Sequence, residues 1–214
     1  MKQKSMIVRN GMAVLLAVML VVCLSVGVTA SFAYASDAQV ADEVTPAYTY
    51  VLGQQGTNTA DTFYFESRQM SDGWLAAIEM SSRLSSDKTA VNKLVDVRLE
   101  SDWLANVNTG SFGSDKKAFS NGAIYVPSEA NLRIDLNGHV INRQLSAMAE
   151  SGSVMVLAGT VEILDSASDA THDGAYTYGD GEVLNGGIIT GGKSFRGGAI
   201  YSSGNVTLSG GTLY

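Results

Sequence analysis

The chain has 214 residues, 14 Lys and Arg against 21 Asp and Glu, a formal charge of −7, one cysteine and 23 glycines. The acidic balance argues against nucleic acid and anionic lipid as partners. A single cysteine excludes a disulfide framework, so any folded part must be held by its own apolar core.

Lys2, Lys4 and Arg9 precede an apolar run from Met12 to Val28, and Ala33 and Ala35 follow as small residues before a cleavage point. This pattern predicts a secretory signal peptide over residues 1–35, with Val28-Thr29-Ala30 as a second place to cut. The rival reading is an uncleaved anchor, since about 17 apolar residues just reach across a bilayer. Cys23 follows Val22 where a lipobox needs a small residue, so lipidation is not expected. Loss of the leader removes the cysteine and takes the charge to about −10. Membrane contact is then expected only through the leader.

Residues 36–60 are small and polar and read as a flexible lead-in, with Tyr48–Leu52 as a strand inside it. Residues 61–93 hold a weak strand, Thr62–Glu66, and a helix over Gly73–Leu84 capped by Ser71 or Asp72. Trp74, Ala77, Ile78 and Ser81 share one face of that helix, which is expected to cover the end of the core that follows. An independent helical partner site is the competing reading. Leu94–Leu99 alternates as a strand should, and Trp103 is expected in the core at a corner rather than as a sugar platform. Asn106–Ser120 reads as a polar loop.

From Gly122 onward the chain repeats. Val154, Met155, Val156, Gly159, Val161 and Ile163 recur 45 residues later as Ala199, Ile200, Tyr201, Gly204, Val206 and Leu208. Ile124, Leu132 and Ile134 fit the same template. A second offset of 24 relates Gly187 in GGIITGG to Gly211 in GGTLY. Two such steps come close to the longer offset, so one unit is roughly 20–25 residues, which suits short strands rather than helix pairs. Inward aliphatics alternate with outward polar residues, as in Val161-Glu162-Ile163, and Asn-Gly pairs mark turns at 121–122, 137–138 and 185–186. The fold expected for 94–214 is therefore all-β: a right-handed parallel β-helix, or solenoid, with a short N-terminal capping helix. Leu213-Tyr214 stops where the repeat calls for another turn, so the native chain is expected to continue; if it ends there, the open C-terminal coil is expected to self-associate.

ESDWLA (100–105), NGAIYVPSEANLRIDLNGHVINR (121–143) and GGAIYSSGNVTLSGGT (197–212) together resemble secreted right-handed parallel β-helix, pectin-lyase-like adhesin-like surface proteins of Gram-positive and gut bacteria. The resemblance covers roughly 95–214. It implies a secreted, extracellular or wall-associated role, often as one module of a longer chain. Pectin-lyase-like enzymes share that architecture. However, the Asp-Asp pair, Gly-His-Gly and Arg-Ile-Lys of polygalacturonase-like glycosidases are not present, and Asn137-Gly138-His139 and Arg133-Ile134-Asp135 are the nearest fragments. Phe195-Arg196-Gly197-Gly198-Ala199-Ile200 also resembles repeats of β-helical autotransporter passengers.

The candidate site is the acidic stretch 165–182. Asp165, Asp169, Asp173, Asp180 and Glu182 are hard oxygen donors suited to calcium, although their spacing matches neither an EF-hand nor a β-roll repeat. Tyr176 and Tyr178 in the same stretch are candidates for stacking on a sugar ring. A solvated insertion is the plainer reading of this loop. His139 and His172 stand alone in sequence, and His139 reads as a corner residue bonded to backbone. The leading expectation is a non-catalytic, adhesin-like module that presents an elongated surface to an extracellular glycan or protein, with no obligatory cofactor. The alternatives are a fragment of a polysaccharide lyase or glycoside hydrolase and a structural stalk.

Overall fold

The computed structural model describes residues 44–104, 119–120, 122–172, 176–178 and 181–214. The expected signal peptide and the start of the lead-in lie outside the described residues, as do residues 106–118 of the expected polar loop. In chain order the strands are β1 (Tyr48–Leu52), β2 (Thr62–Phe65), β3 (Val95–Leu99), β4 (Trp103–Leu104), β5 (Phe119–Ser120), β6 (Ala123–Val126), β7 (Asn131–Asp135) and β8 (Val140–Asn142). They continue as β9 (Met155–Leu157), β10 (Thr160–Leu164), β11 (Thr177–Tyr178), β12 (Glu182–Val183), β13 (Ile188–Thr190), β14 (Ile200–Ser202), β15 (Asn205–Leu208) and β16 (Thr212–Leu213). One α-helix, α1 (Met70–Ser86), follows a 3-10 turn at Ser67–Gln69.

Three sheets surround one core. The first has six strands in the order β15-β10-β7-β3-β1-β2; the second runs β16-β13-β8-β4; the third runs β14-β9-β6-β5. Pairing is parallel throughout, except for the two-residue hairpin contacts β5–β6 and β11–β12. The register is the one the sequence offset implies. Val161 sits beside Val206 and Ile163 beside Leu208, while Met155 lies between Ile124 and Ile200. Ile188 pairs with Thr212 at the shorter offset. Val161, Ile163, Leu132, Ile134, Ile141 and Met155 are all buried. Each such side chain taken from water stabilises the fold by about 1.5–3 kcal/mol.

Among the described residues the fold is mixed α/β, with parallel sheets and one α-helix, and this corrects the expected all-β solenoid. Two features overturn it. First, α1 is a wall of the core. Met70, Trp74, Ala77 and Ile78 are buried on it, and Gly73 brings its backbone so close to β1 that an added Cβ would fall 2.3 Å from Leu52 Cδ2. Ser81 Oγ accepts the Asn131 N–H at 2.7 Å and donates to the Asn131 carbonyl at 2.9 Å, which latches α1 to the start of β7. Second, β1 lies between β2 and β3. Successive solenoid coils stack in chain order; these three strands do not. The sequence showed the local periods but carried no sign of this insertion.

The helix also starts earlier than the Ser71 or Asp72 cap suggested. Gln69 is its N-cap, and Glu66 and Gln69 form a reciprocal capping pair around the preceding 3-10 turn. Asp72 lies in the first helical turn, where a negative charge is favourable. At the other end, Asp87 donates its N–H to the Arg83 and Leu84 carbonyls. Trp103 is fully buried, as expected. β14, β15 and β16 are edge strands, and Leu208 and Leu213 on them are exposed.

The buried Trp74 Nε1 has no acceptor among the described residues, so the ring contributes through its apolar area. Trp74→Ala is expected to cost about 3–5 kcal/mol. Trp74→Phe, which deletes the unpaired donor, should cost far less. Urea midpoints of the two variants check this; equal losses would show that the indole N–H, not the packing, matters.

Candidate functional site

The acidic stretch begins at a corner whose geometry is set by backbone conformation. Asn137 and Gly138 both have positive φ, 46° and 75°, and the His139 N–H closes the turn on the Leu136 carbonyl at 2.8 Å. Only glycine takes that second position without strain. Asn137 Nδ2 donates to the Leu99 carbonyl at 2.9 Å, tying the turn to the neighbouring layer.

Carboxylates brace this corner from three positions. Asp135 Oδ1 accepts the N–H groups of Asn137 and Ser166, each at 2.9 Å. Asp165 Oδ1 accepts the Gly138 N–H at 2.7 Å and its Oδ2 accepts the Gly187 N–H at 2.6 Å. Asp102 Oδ1 accepts the Val140 N–H at 2.9 Å. Gly187 is required where it meets Asp165, because a Cβ there would lie 2.3 Å from Leu136 Cβ.

These contacts show how the first of the expected calcium candidates is held. Asp165 has both oxygens committed to backbone donors, and Asp169 is an exposed side chain four residues further on. Asp173 and Asp180 lie outside the described residues, as does the side chain of Glu182. Among the described residues no group of three or more His, Cys, Asp or Glu side chains is arranged to hold a metal ion.

The loop is folded back rather than splayed. β11 and β12 pair antiparallel, Gly186 N–H donates to the Ala170 carbonyl, and Leu184 N–H donates to the Tyr176 carbonyl, both at 2.8 Å. This places Tyr176 at a cleft of about 550 Å³ that also takes in Asp102, His139, Asn137, Thr171 and His172. The side chain of Tyr178 lies outside the described residues.

The cleft gathers both described histidines, which are 33 positions apart in sequence. His172 Nε2 lies 2.6 Å from the Gly186 carbonyl, and its ring meets Tyr176 edge-on at 5.5 Å between centroids. A carbonyl only accepts, so Nε2 carries the proton and Nδ1 is left as an acceptor in the neutral ring. His139 Nδ1 lies 3.4 Å from Asp102 Oδ1, which assigns its proton to Nδ1 and leaves Nε2 open. Burial works to raise the Asp102 carboxyl. The hydrogen bonds from His139 and the Val140 N–H and the charges of His139 and His172 outweigh it and hold Asp102 below the usual carboxylate range.

The sequence treated His139 and His172 as unrelated and passed over Asp102. The register contained the missing signal: Trp103 pairs with Ile141, which sets Asp102 beside Val140 at the same corner.

A second feature lies on the outer face of the third sheet. Tyr125, Val156 and Tyr201 are direct lateral partners on β6, β9 and β14 and point away from the core, while their neighbours Ile124 and Met155 point into it. Tyr125 lines a groove of about 780 Å³ between α1 and β6, with Glu79, Arg83 and Glu129. Val156 and Tyr201 line a cleft of about 430 Å³, with Phe195, Arg196 and Glu150. The first sheet is different: its outward positions carry Asp96, Arg133 and Glu162, and Arg133 Nη2 contacts Asp96 Oδ2 at 2.6 Å. Burial pushes the Asp96 carboxyl up in spite of that contact, so desolvation offsets much of the pair's attraction.

No family model matches the chain, and neither a curated protein nor a solved structure matches it.

Asp165→Asn leaves one acceptor where two backbone N–H groups point. It is expected to cost about 1–3 kcal/mol, with the same drop in melting temperature whether calcium is present or chelated. A drop confined to calcium-loaded protein would instead make Asp165 a calcium donor.

The lowered Asp102 fixes a sign for acid sensitivity. Its contribution is present above the ordinary carboxylate range near pH 4 and is lost as pH falls through its lower folded value. Urea midpoints of the parent chain are therefore expected to fall more steeply below about pH 4 than those of Asp102→Asn. Parallel profiles would contradict this.

Proposed function

We propose that this chain is a non-catalytic secreted or cell-surface module, adhesin-like in role, that binds an extracellular glycan or protein through the cleft beside the 165–186 loop. The observation that carries the reading is how that cleft divides its groups. The carboxylates that polysaccharide cleavage would call on are committed to bracing turns: Asp165 through both oxygens and Asp135 and Asp102 through backbone N–H bonds. What lines the opening besides Asp102 is a phenol ring, two imidazoles and the hydroxyl of Thr171. These suit a hydroxyl-rich ligand, with a ring face to stack on and several acceptors at its edge. The leader-like N-terminus supports an extracellular setting.

The Asp102–His139 contact supports a second reading, in which an oriented imidazole acts as a general base in a polysaccharide-cleaving enzyme. A glycan array, with reducing-sugar and unsaturated-product assays run on every hit, separates the two. Binding without turnover is expected. Tyr176→Ala should weaken it by about three- to tenfold, and His172→Ala should weaken it as well. Product formation that Asp102→Asn abolishes would establish the enzyme instead.

A further inference from the structure

We propose that the outward face of the third sheet is a track for an uncharged, β-linked polysaccharide lying along the direction in which the strands stack; this names a ligand class for the binding module and rests on that reading. Tyr125, Val156 and Tyr201 stand in one column by direct register. Neighbouring strands are about 4.8 Å apart, so the two tyrosines are roughly 9.6 Å apart along the stack. An extended β-linked chain advances by about that distance over one disaccharide, and alternate sugars then present equivalent faces. A tyrosine at every second step therefore meets the same ring face each time.

The surroundings favour an uncharged polar chain. Beside the column Phe195 is 82% exposed and Tyr201 39% exposed. An aromatic that exposed adds nothing to the core, but beside a second ring it extends the apolar strip a sugar face stacks against. The rims carry both signs of charge, Glu150 with Arg196 at one end and Glu79, Glu129 and Arg83 at the other. No one-signed field draws in a polyanion, and the net charge of −7 repels one. Arg196 lines the same cleft, so a guanidinium donor for sugar hydroxyls lies beside the rings. The first sheet's outward column of Asp96, Arg133 and Glu162 offers no such strip.

The test is isothermal titration of the full chain with cello- and chito-oligosaccharides of graded length, with polygalacturonate as the charged comparison. Affinity should rise with length until both tyrosines are spanned and then level off, and polygalacturonate should bind more weakly. Tyr125→Ala and Tyr201→Ala should each lower affinity for the longer chains by about three- to tenfold. Tyr201→Phe should retain it, and Glu162→Gln, on the outward face of the first sheet, should leave affinity and length dependence intact. Circular dichroism and thermal midpoints check that each variant is folded. Affinity without length dependence, or unmoved by both alanine variants, overturns the track. If Tyr176→Ala alone then abolishes saccharide binding, the module reading survives without it. Tightest binding to polygalacturonate overturns the ligand class. No binding to any saccharide on an array overturns the track and leaves the module reading with a protein ligand alone.

Discussion

Lateral register between like side chains is the constraint on which this structure depends. Val95, Leu132, Val161 and Val206 form one line across the first sheet, and Tyr50, Val97, Ile134, Ile163 and Leu208 form the next. A slip of one residue in any strand would turn its aliphatics outward and its Asp, Arg or Glu inward. Burying an unpaired charge costs far more than the slip could recover. The alternation therefore fixes which residue sits beside which, and so fixes the outer faces as firmly as the inner one. The Asp96–Arg133 contact and the Tyr125–Val156–Tyr201 column are two products of the same registration.

The corners solve a different problem. Parallel strands in adjacent layers leave turn N–H groups pointing between layers, and a buried donor without an acceptor is costly. Asp135, Asp165 and Asn137 answer this with side-chain oxygens and an amide that reach across layers. This is why a run of acids that reads as a metal loop is, at its first member, a backbone clamp. Composition alone cannot separate the two uses, because both ask for a carboxylate near glycines.

Much of the strand pairing was legible in the sequence, since a repeat that keeps its spacing pairs like residues with like. Val161 with Val206 and Ile188 with Thr212 follow from the two offsets. The α/β character was not legible in the same way. The amphipathic face of Trp74, Ala77 and Ile78 announces a helix, but that it walls the core depends on Ser81 bonding the backbone of Asn131, fifty residues away. The place of β1 between β2 and β3 likewise has no local cause. The cleft was half legible: Tyr176 was named for its loop and its chemistry. The meeting of Asp102, His139 and His172 required knowing that three separate corners stack.

The β11–β12 pair lies between β10 and β13 in the chain and, among the described residues, joins neither sheet's ladder. Its length is thus independent of the strand alignment on both sides. Residues can be added or removed at that splice while Val161 stays beside Val206 and Ile188 beside Thr212. The mouth of the cleft and the integrity of the scaffold are in this way decoupled: the side chains at the mouth can change, as in a handle with exchangeable tips, without renegotiating the packing beneath them.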